Sequence, residues 1–297
     1  MNQIPKTYAS VTFQVPSEMA EDAAGIIIMN GALGCEVSKR AAGSHSKRNG
    51  TSPVLLRAYF DRITPQRLEK LEAKLKTAGM LAPGTNPEHQ QIEDPGWATM
   101  WQARFGPLRV GGGFLIVPPW QFQTEPDRIS LIIQPGQAFG TGHHRSTSGT
   151  LIALEQLCRN RRVTSALDVG TGSGILAIAM AKLGVAHVIA IDTDQASLTN
   201  AKENAELNRA TEKIHFSTTP LEAIRGRFAV IAANILSSTL IRMAPDLTVR
   251  LRSRGHLVLS GILRHEAQSV ADAYVERRLA CVGWNDYGAW TTLVFEK

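Results

Sequence analysis

The chain has 297 residues, 43% of them hydrophobic and 20% charged, enough for two folded domains with buried cores. That balance excludes intrinsic disorder, and no apolar run reaches the roughly 18 residues a membrane-spanning helix needs. The net charge of +6 fits a mildly basic enzyme and does not by itself require nucleic acid.

The first predicted strand covers 8–16 (YASVTFQVP), followed by a helix from Ser17 to Asn30, with Ser17 as its cap and Gly31 and Gly34 closing it. Lys39 to Pro53 is polar and glycine- and serine-containing, and reads as a flexible hairpin loop before the strand VLLRAYF at 54–60. A helix from Thr64 to Ala78 follows, with Pro65 in its first turn, and HQQIED (89–94) reads as a weak strand. With GCEVSK as a further strand, residues 1–93 take the β-α-β-β-α-β order of a small ferredoxin-like domain. Residues 94–127 are expected to be a connector. Trp97 and Trp101, one helical turn apart, and Trp120 read as an aromatic seam.

From 128 to 297 the pattern alternates. Strands are expected at 165–169, 187–191, 213–216, 228–234 and 255–260, with helices at 174–183, 194–207, 236–251 and 264–278. Such alternation predicts a doubly wound α/β domain with a largely parallel sheet. Two further strand-like runs, RLACVGWND and WTTLVFEK, are joined by Tyr287-Gly288-Ala289 and predict an antiparallel hairpin at the sheet edge.

The strongest local motif is Asp168-Val169-Gly170-Thr171-Gly172-Ser173-Gly174, which follows an apolar strand and opens a helix. Glycines there let the backbone approach a ligand closely at the carboxyl end of a strand. The dinucleotide fingerprint fails, since its third glycine is due where Ile175 stands; no Gly-Lys-Ser/Thr follows for a P-loop. Asp168 disfavours a pyrophosphate and suits a cationic ligand such as S-adenosylmethionine. Asp192, at the end of the next strand, is placed to hold ribose hydroxyls, and Asp194 to cap the following helix. Cofactor-binding candidates are therefore Asp168, Gly170, Gly172, Gly174 and Asp192.

Upstream, Gln134-Pro135-Gly136-Gln137-Ala138-Phe139-Gly140-Thr141-Gly142-His143-His144-Arg145-Ser146-Thr147 is a shaped loop running into a helix near Ser146. Phe139 is expected to cover a ligand. Ser146 and Thr147 can each cap the helix or contact the ligand. Taken together, PGQAFGTGHH-x-ST, LDVGTGSGILAIA, IAIDTD and AANIL resemble PrmA, the bacterial methyltransferase family acting on ribosomal protein L-eleven. The resemblance is close over 94–297 and one of layout over 1–93. It implies S-adenosylmethionine as methyl donor, with Thr147, Gly170, Asp192 and Asn234 at the donor or reacting centre and Phe139 over it. It also implies a small domain that presents a large-subunit ribosomal protein, whose lysine side-chain and N-terminal amines are methylated. Gln134 stands where the family loop usually begins with Asp, and His143 is an added histidine beside the matching His144.

Methyl transfer to an amine needs the lone pair aligned with the methyl–sulfur axis, water excluded and the ammonium deprotonated. Asn234, ending FAVIAA, is the candidate to accept an amine hydrogen; His144 is a candidate proton acceptor or an orienter of its loop. Other readings are a lysine methyltransferase for a different protein such as the electron-transfer flavoprotein beta subunit, an RNA methyltransferase, or a non-enzymatic binding module. Asn234-Ile235-Leu236-Ser237 lacks the proline turn and stacking aromatic of amino-methylating nucleic-acid enzymes. Cys35, Cys158 and Cys281 lie far apart, which argues against disulfides or a zinc site. MNQIPKTYAS lacks a secretory profile, so a cytoplasmic monomer needing no metal, membrane or nucleic acid is expected.

Overall fold

The computed structural model describes residues 7–38, 53–81, 87–93, 106–134 and 144–297. The chain divides into two compact units, Met1–Arg104 and Phe105–Lys297.

In the first unit, β1 (Thr7–Pro16), β2 (Gly34–Ser38), β3 (Pro53–Phe60) and β4 (Glu88–Glu93) form an antiparallel sheet in the order β2-β3-β1-β4. Helices α1 (Ala20–Met29) and α2 (Pro65–Thr77) supply the two crossovers, giving the ferredoxin-like arrangement. Val11, Phe13 and Val15 alternate into the core with Leu56, Ala58 and Phe60, and meet buried Ile26, Ile27, Leu71 and Leu75 of the helices. Thr64 caps α2 by accepting from the Arg67 N–H, as its position before Pro65 predicts. Ser17 differs from expectation. It opens a 3-10 turn (Ser17–Met19), so α1 starts three residues later with no side-chain cap.

The second unit is built on a seven-stranded sheet. Its members are β8 (Ser165–Val169), β9 (His187–Ile191), β10 (Ile214–Ser217), β11 (Phe228–Asn234), β12 (Leu251–Leu263), β13 (Ala280–Tyr287) and β14 (Trp290–Glu296). The order is β10-β9-β8-β11-β12-β14-β13, with β8 to β12 parallel and β14 antiparallel to both its neighbours. The strand order reverses at β8, and the crevice between the carboxyl ends of β8 and β11 is where such sheets bind ligands.

Strand periodicity divides the interior. Ala166, Val230, Ala232 and Val258 point into one core, shared with α3 (Arg145–Asn160), α4 (Ile175–Lys182) and α5 (Gln195–Leu207). Leu167, Ile231, Ala233, Leu257 and Leu259 point into the other, under α6 (Ser237–Arg250) and α7 (Ala267–Val275). Helix α4 is buried from Ile175 to Ala181, which explains why its sequence is apolar on every face. The terminal hairpin forms as predicted, but only β13 is an edge strand: β14, buried along most of its length, inserts between β12 and β13. Gly149 lets α3 rest on that hairpin, since a Cβ there would lie 2.5 Å from Thr292 Oγ1 and 2.7 Å from the Tyr287 ring.

Part of the expected connector is itself structured. Strands β5 (Leu108–Val110), β6 (Phe114–Val117) and β7 (Ile129–Ile132) form a small sheet, with β6 and β7 parallel. Phe114, Ile116 and Leu131 join the core shared with α3 and α4. Trp120 lies in a short 3-10 turn and is partly exposed, while Trp97 and Trp101 fall outside the described residues. Among the described residues no helix is long and apolar enough to cross a membrane.

Candidate active site

The glycine loop extends the sheet beyond its last strand residue. The Gly170 and Thr171 N–H groups both donate to Ile191 O, at 2.9 and 3.0 Å, and Gly174 N closes the turn on Thr171 O at 2.8 Å. Gly170 and Gly174 hold φ of +72° and +82°, where a side chain is strained. Space forbids one as well: a Cβ on Gly170 would sit 2.5 Å from Ile235 Cγ2, and on Gly174 3.0 Å from the Ala201 Cβ. The loop is therefore pressed between the turn after β11 and helix α5. Gly172, at φ +53°, presents its N–H to Asp192 Oδ2 at 2.9 Å.

Asp168 is fully buried. Its Oδ2 accepts from Thr171 Oγ1 at 2.7 Å and from Ala177 N at 3.1 Å, satisfying an otherwise orphaned amide in the first turn of α4. Its Oδ1 is buried with no hydrogen-bond partner among the described residues. Burial pushes the carboxyl up to about 7, opposed by its two hydrogen bonds and helped by the nearby charge of Asp192. Asp192 is half-buried, and its Oδ1 accepts from Asp194 N at 3.0 Å. Asp194 caps α5 through the N–H groups of Ala196 and Ser197, and the Ser197 hydrogen bonds hold its carboxyl below the ordinary range.

On the other side of the switch point, Asn234 ends β11 and is 7% exposed. Its Nδ2 donates to Thr147 Oγ1 at 3.0 Å, and its Oδ1 is buried without a partner among the described residues. Thr147 supplies that hydroxyl from the first turn of α3. The helix cap left open between Ser146 and Thr147 is neither of them. His144 Nδ1 accepts from Ser146 N at 3.3 Å and lies 2.6 Å from Ser146 Oγ, making the imidazole the N-cap of α3. Its ring packs edge-on against Trp290, with centroids 4.5 Å apart. Burial, with a smaller push from Arg145, lowers the His144 pKa to about 3, so the ring is neutral at physiological pH.

The structure thus brings Asp168, Gly170, Gly172, Gly174 and Asp192 together around one loop, and joins Thr147 to Asn234 across the crevice. Phe139 and His143 fall outside the described residues. Three residues that hold backbone around the site escape a reading by motif. Ser260, opposite Asn234 in the β11–β12 register, ties Ser146 O to Thr292 through its hydroxyl and takes the Ile235 N–H on its carbonyl. Asn204 and Asn208 of α5 bind the backbone of Gln134 and Ile132. Their visible signal is Asn200, Asn204 and Asn208 at intervals of four, a spacing that puts them on one helix face.

The arrangement fits a nucleoside-bearing cation: an acid just ahead of the glycine turn, a second acid just past the next strand and, among the described residues, an unpartnered amide oxygen at the switch point. Comparison with known proteins agrees. The family model described as Ribosomal protein L11 methyltransferase (PrmA) matches residues 7–297. The ribosomal protein L11 methyltransferase of Geobacter sulfurreducens is 38% identical over 298 residues, covering 98% of both chains. That of Pelobacter propionicus is 39% identical over 251 residues, covering 82% of this chain and 81% of the relative. The crystal structure of the ribosomal protein L11 methylase from Lactobacillus delbrueckii subsp. bulgaricus, 31% identical, superposes with a TM-score of 0.60 over 64% of this chain and 98% of that one. Sequence, sheet order and site geometry converge, and the chain belongs to the ribosomal protein L11 methyltransferase family.

Proposed function

We propose that this chain transfers methyl groups from S-adenosylmethionine to lysine side-chain amines of a large-subunit ribosomal protein, with the ferredoxin-like unit presenting that substrate. The observation that carries the reading is the buried Oδ1 of Asn234, unpartnered among the described residues and held in place by the bond from Nδ2 to Thr147. A fixed acceptor of this kind takes an amine hydrogen and so turns the nitrogen lone pair in one direction.

The residues present fit the methyl donor. Asp168 offers a carboxylate oxygen that is buried and, among the described residues, unpartnered, Asp192 a half-buried carboxylate, and Gly170, Gly172 and Gly174 a turn held at positive φ. Asp168, Gly170, Gly172, Gly174 and Asp192 would hold it, with Thr147 beside Asn234. When bound, the donor supplies a methyl group already activated on a sulfonium. The chain's own contribution is alignment and dryness. Lysine has an ordinary pKa of about 10.4, so a buried amine site favours the neutral nucleophile by denying the ammonium its hydration. His144 serves that site as cap and aromatic partner; with its pKa lowered to about 3 it is a weak proton acceptor.

The test is transfer from tritiated S-adenosylmethionine to ribosomal proteins taken from cells lacking this gene. Label is expected on one large-subunit protein, in lysine. Label only in added RNA would replace this reading with nucleic-acid methylation, and label on a non-ribosomal protein would move the substrate elsewhere.

A pH dependence follows from Asp168. Its raised pKa means the folded protein prefers the neutral carboxyl, a preference that stabilises the fold below the ordinary Asp value and is lost as pH rises through about 7. A cationic ligand prefers the carboxylate, so cofactor binding should tighten from pH 6 to pH 8. The limit is about tenfold per pH unit below the pKa. Calorimetry should also register proton release near pH 6, and Asp168→Asn should flatten the profile. A wild-type affinity that ignores pH over this range would remove Asp168 from contact with the ligand's charge.

A further inference from the structure

Strand β7 has β6 on one side; at Ile132 its other edge is met by Asn208, the C-cap residue of α5. Asn208 Oδ1 accepts from Ile132 N at 2.9 Å while its Nδ2 donates to Ile132 O at 2.6 Å. Asn204 repeats the pattern two strand residues on, accepting from Gln134 N at 2.8 Å and donating to Gln134 O at 3.5 Å. The match is metrical. Four helical residues rise about 6.0 Å and two strand residues about 6.6 Å, so amides one helical turn apart meet alternate backbone positions of a strand.

Asn204 does one thing more. The same Nδ2 donates to Ser173 O at 2.9 Å, inside the glycine loop, and the residue is fully buried. Ser173 lies between Gly172, whose N–H is held by Asp192, and Gly174, which rests on Ala201 one turn before Asn204. Asn208 spends its second donor bond on the carbonyl of Asn204 within its own helix. Only one of the two asparagines therefore ties the β7 end to the glycine loop.

We propose that Asn204 is a positioning residue for cofactor binding: it locks the Ser173–Gly174 peptide and the Gln134 backbone in one mutual arrangement. It acts through the loop it holds. Loss of the Asn204 donor removes the hold on Ser173 O that complements the Gly174 N–H to Thr171 O bond, so the backbone surface beneath the ligand is less firmly preformed. The inference rests on the cofactor site described above.

The test compares Asn204→Asp with Asn208→Asp. Both keep the side-chain shape and the accepting oxygen and lose the donor, but only the first removes the link to Ser173. For Asn204→Asp, the Kd for S-adenosylmethionine by calorimetry and the KM for it should both rise about tenfold, with kcat at saturation within about twofold of wild type. Asn208→Asp should lower Tm while leaving the Kd unchanged. Should Asn204→Asp fail to fold, Asn204→Ser removes the reach to Ser173 without adding charge and carries the same expectation. Wild-type affinity in the Asn204 variants, or equal weakening by the Asn208 variant, overturns the positioning role alone. A wild-type protein that binds no S-adenosylmethionine overturns the cofactor reading with it.

Discussion

Asn234→Ala is expected to lower kcat by about 100- to 1,000-fold, the scale for loss of a fixed polar group at a reacting centre, while S-adenosylmethionine binding is kept. The expectation rests on how fully this side chain is held. Its backbone closes β11, the next N–H donates to Ser260 O at 3.2 Å, and Nδ2 is bound to Thr147, leaving one buried oxygen without a donor among the described residues. On the proposed reading this oxygen accepts an amine hydrogen, and its removal would cost alignment of the nucleophile. Asn234→Asp supplies a useful contrast: it keeps an oxygen at the site but loses the amide donor to Thr147 and adds a charge that stabilises the unreactive ammonium. Its activity should fall, with the remaining rate rising more steeply at high pH than in wild type. Single-turnover rates read both effects. Unchanged turnover in purified, folded Asn234→Ala would take the residue out of the mechanism.

Asp192→Ala should give the opposite split, weakening S-adenosylmethionine about 100-fold or more with a smaller loss of kcat at saturation. Two backbone N–H groups converge on this carboxylate, from Gly172 and from Asp194, at 2.9 and 3.0 Å. Hydrogen bonds to a charged group are each worth about 1.5–3 kcal/mol, and these two set both the glycine loop and the entry to α5. Ligand hydroxyls bound to the same carboxylate would add to the loss. The substitution should also shift Asp168, since the charge of Asp192 helps to hold that carboxyl high. The pH profile of binding should therefore move downward in the variant. Titration calorimetry, with thermal unfolding to separate loop damage from global destabilisation, decides the matter; wild-type affinity would exclude Asp192 as a ligand contact.

Much of the site is legible in the chain because its determinants are near neighbours in sequence. The glycines of 170–174 need positive φ within one turn, and an acid at the end of the following strand is a matter of spacing. Asp194 caps α5 from the adjacent position, as does Thr64 for α2. Even the two cores follow from strand alternation, with Ile231 and Ala233 on one side of the sheet and Val230 and Ala232 on the other.

Other features were decided only by the packed molecule. Ser146, Thr147 and His144 all have side chains able to cap α3; the extended backbone of His144 and the Trp290 ring against it gave the position to His144, while Thr147 binds Asn234. The hairpin turn fixed the pairing of β13 with β14, but which strand lay inside depended on the apolar bodies of Leu293 and Phe295 finding a covered place beside β12. Asn234 meets Thr147 across 87 residues of sequence, and Asn204 meets Gln134 across 70. Short-range hydrogen bonds and alternation are set by covalent geometry, so sequence determined the loop, its acids, the caps beside them and the alternating order of the second unit. A bond between distant residues forms only when burial brings their elements together, so tertiary structure alone decided which polar atoms are paired and, among the described residues, that the Asn234 oxygen is not.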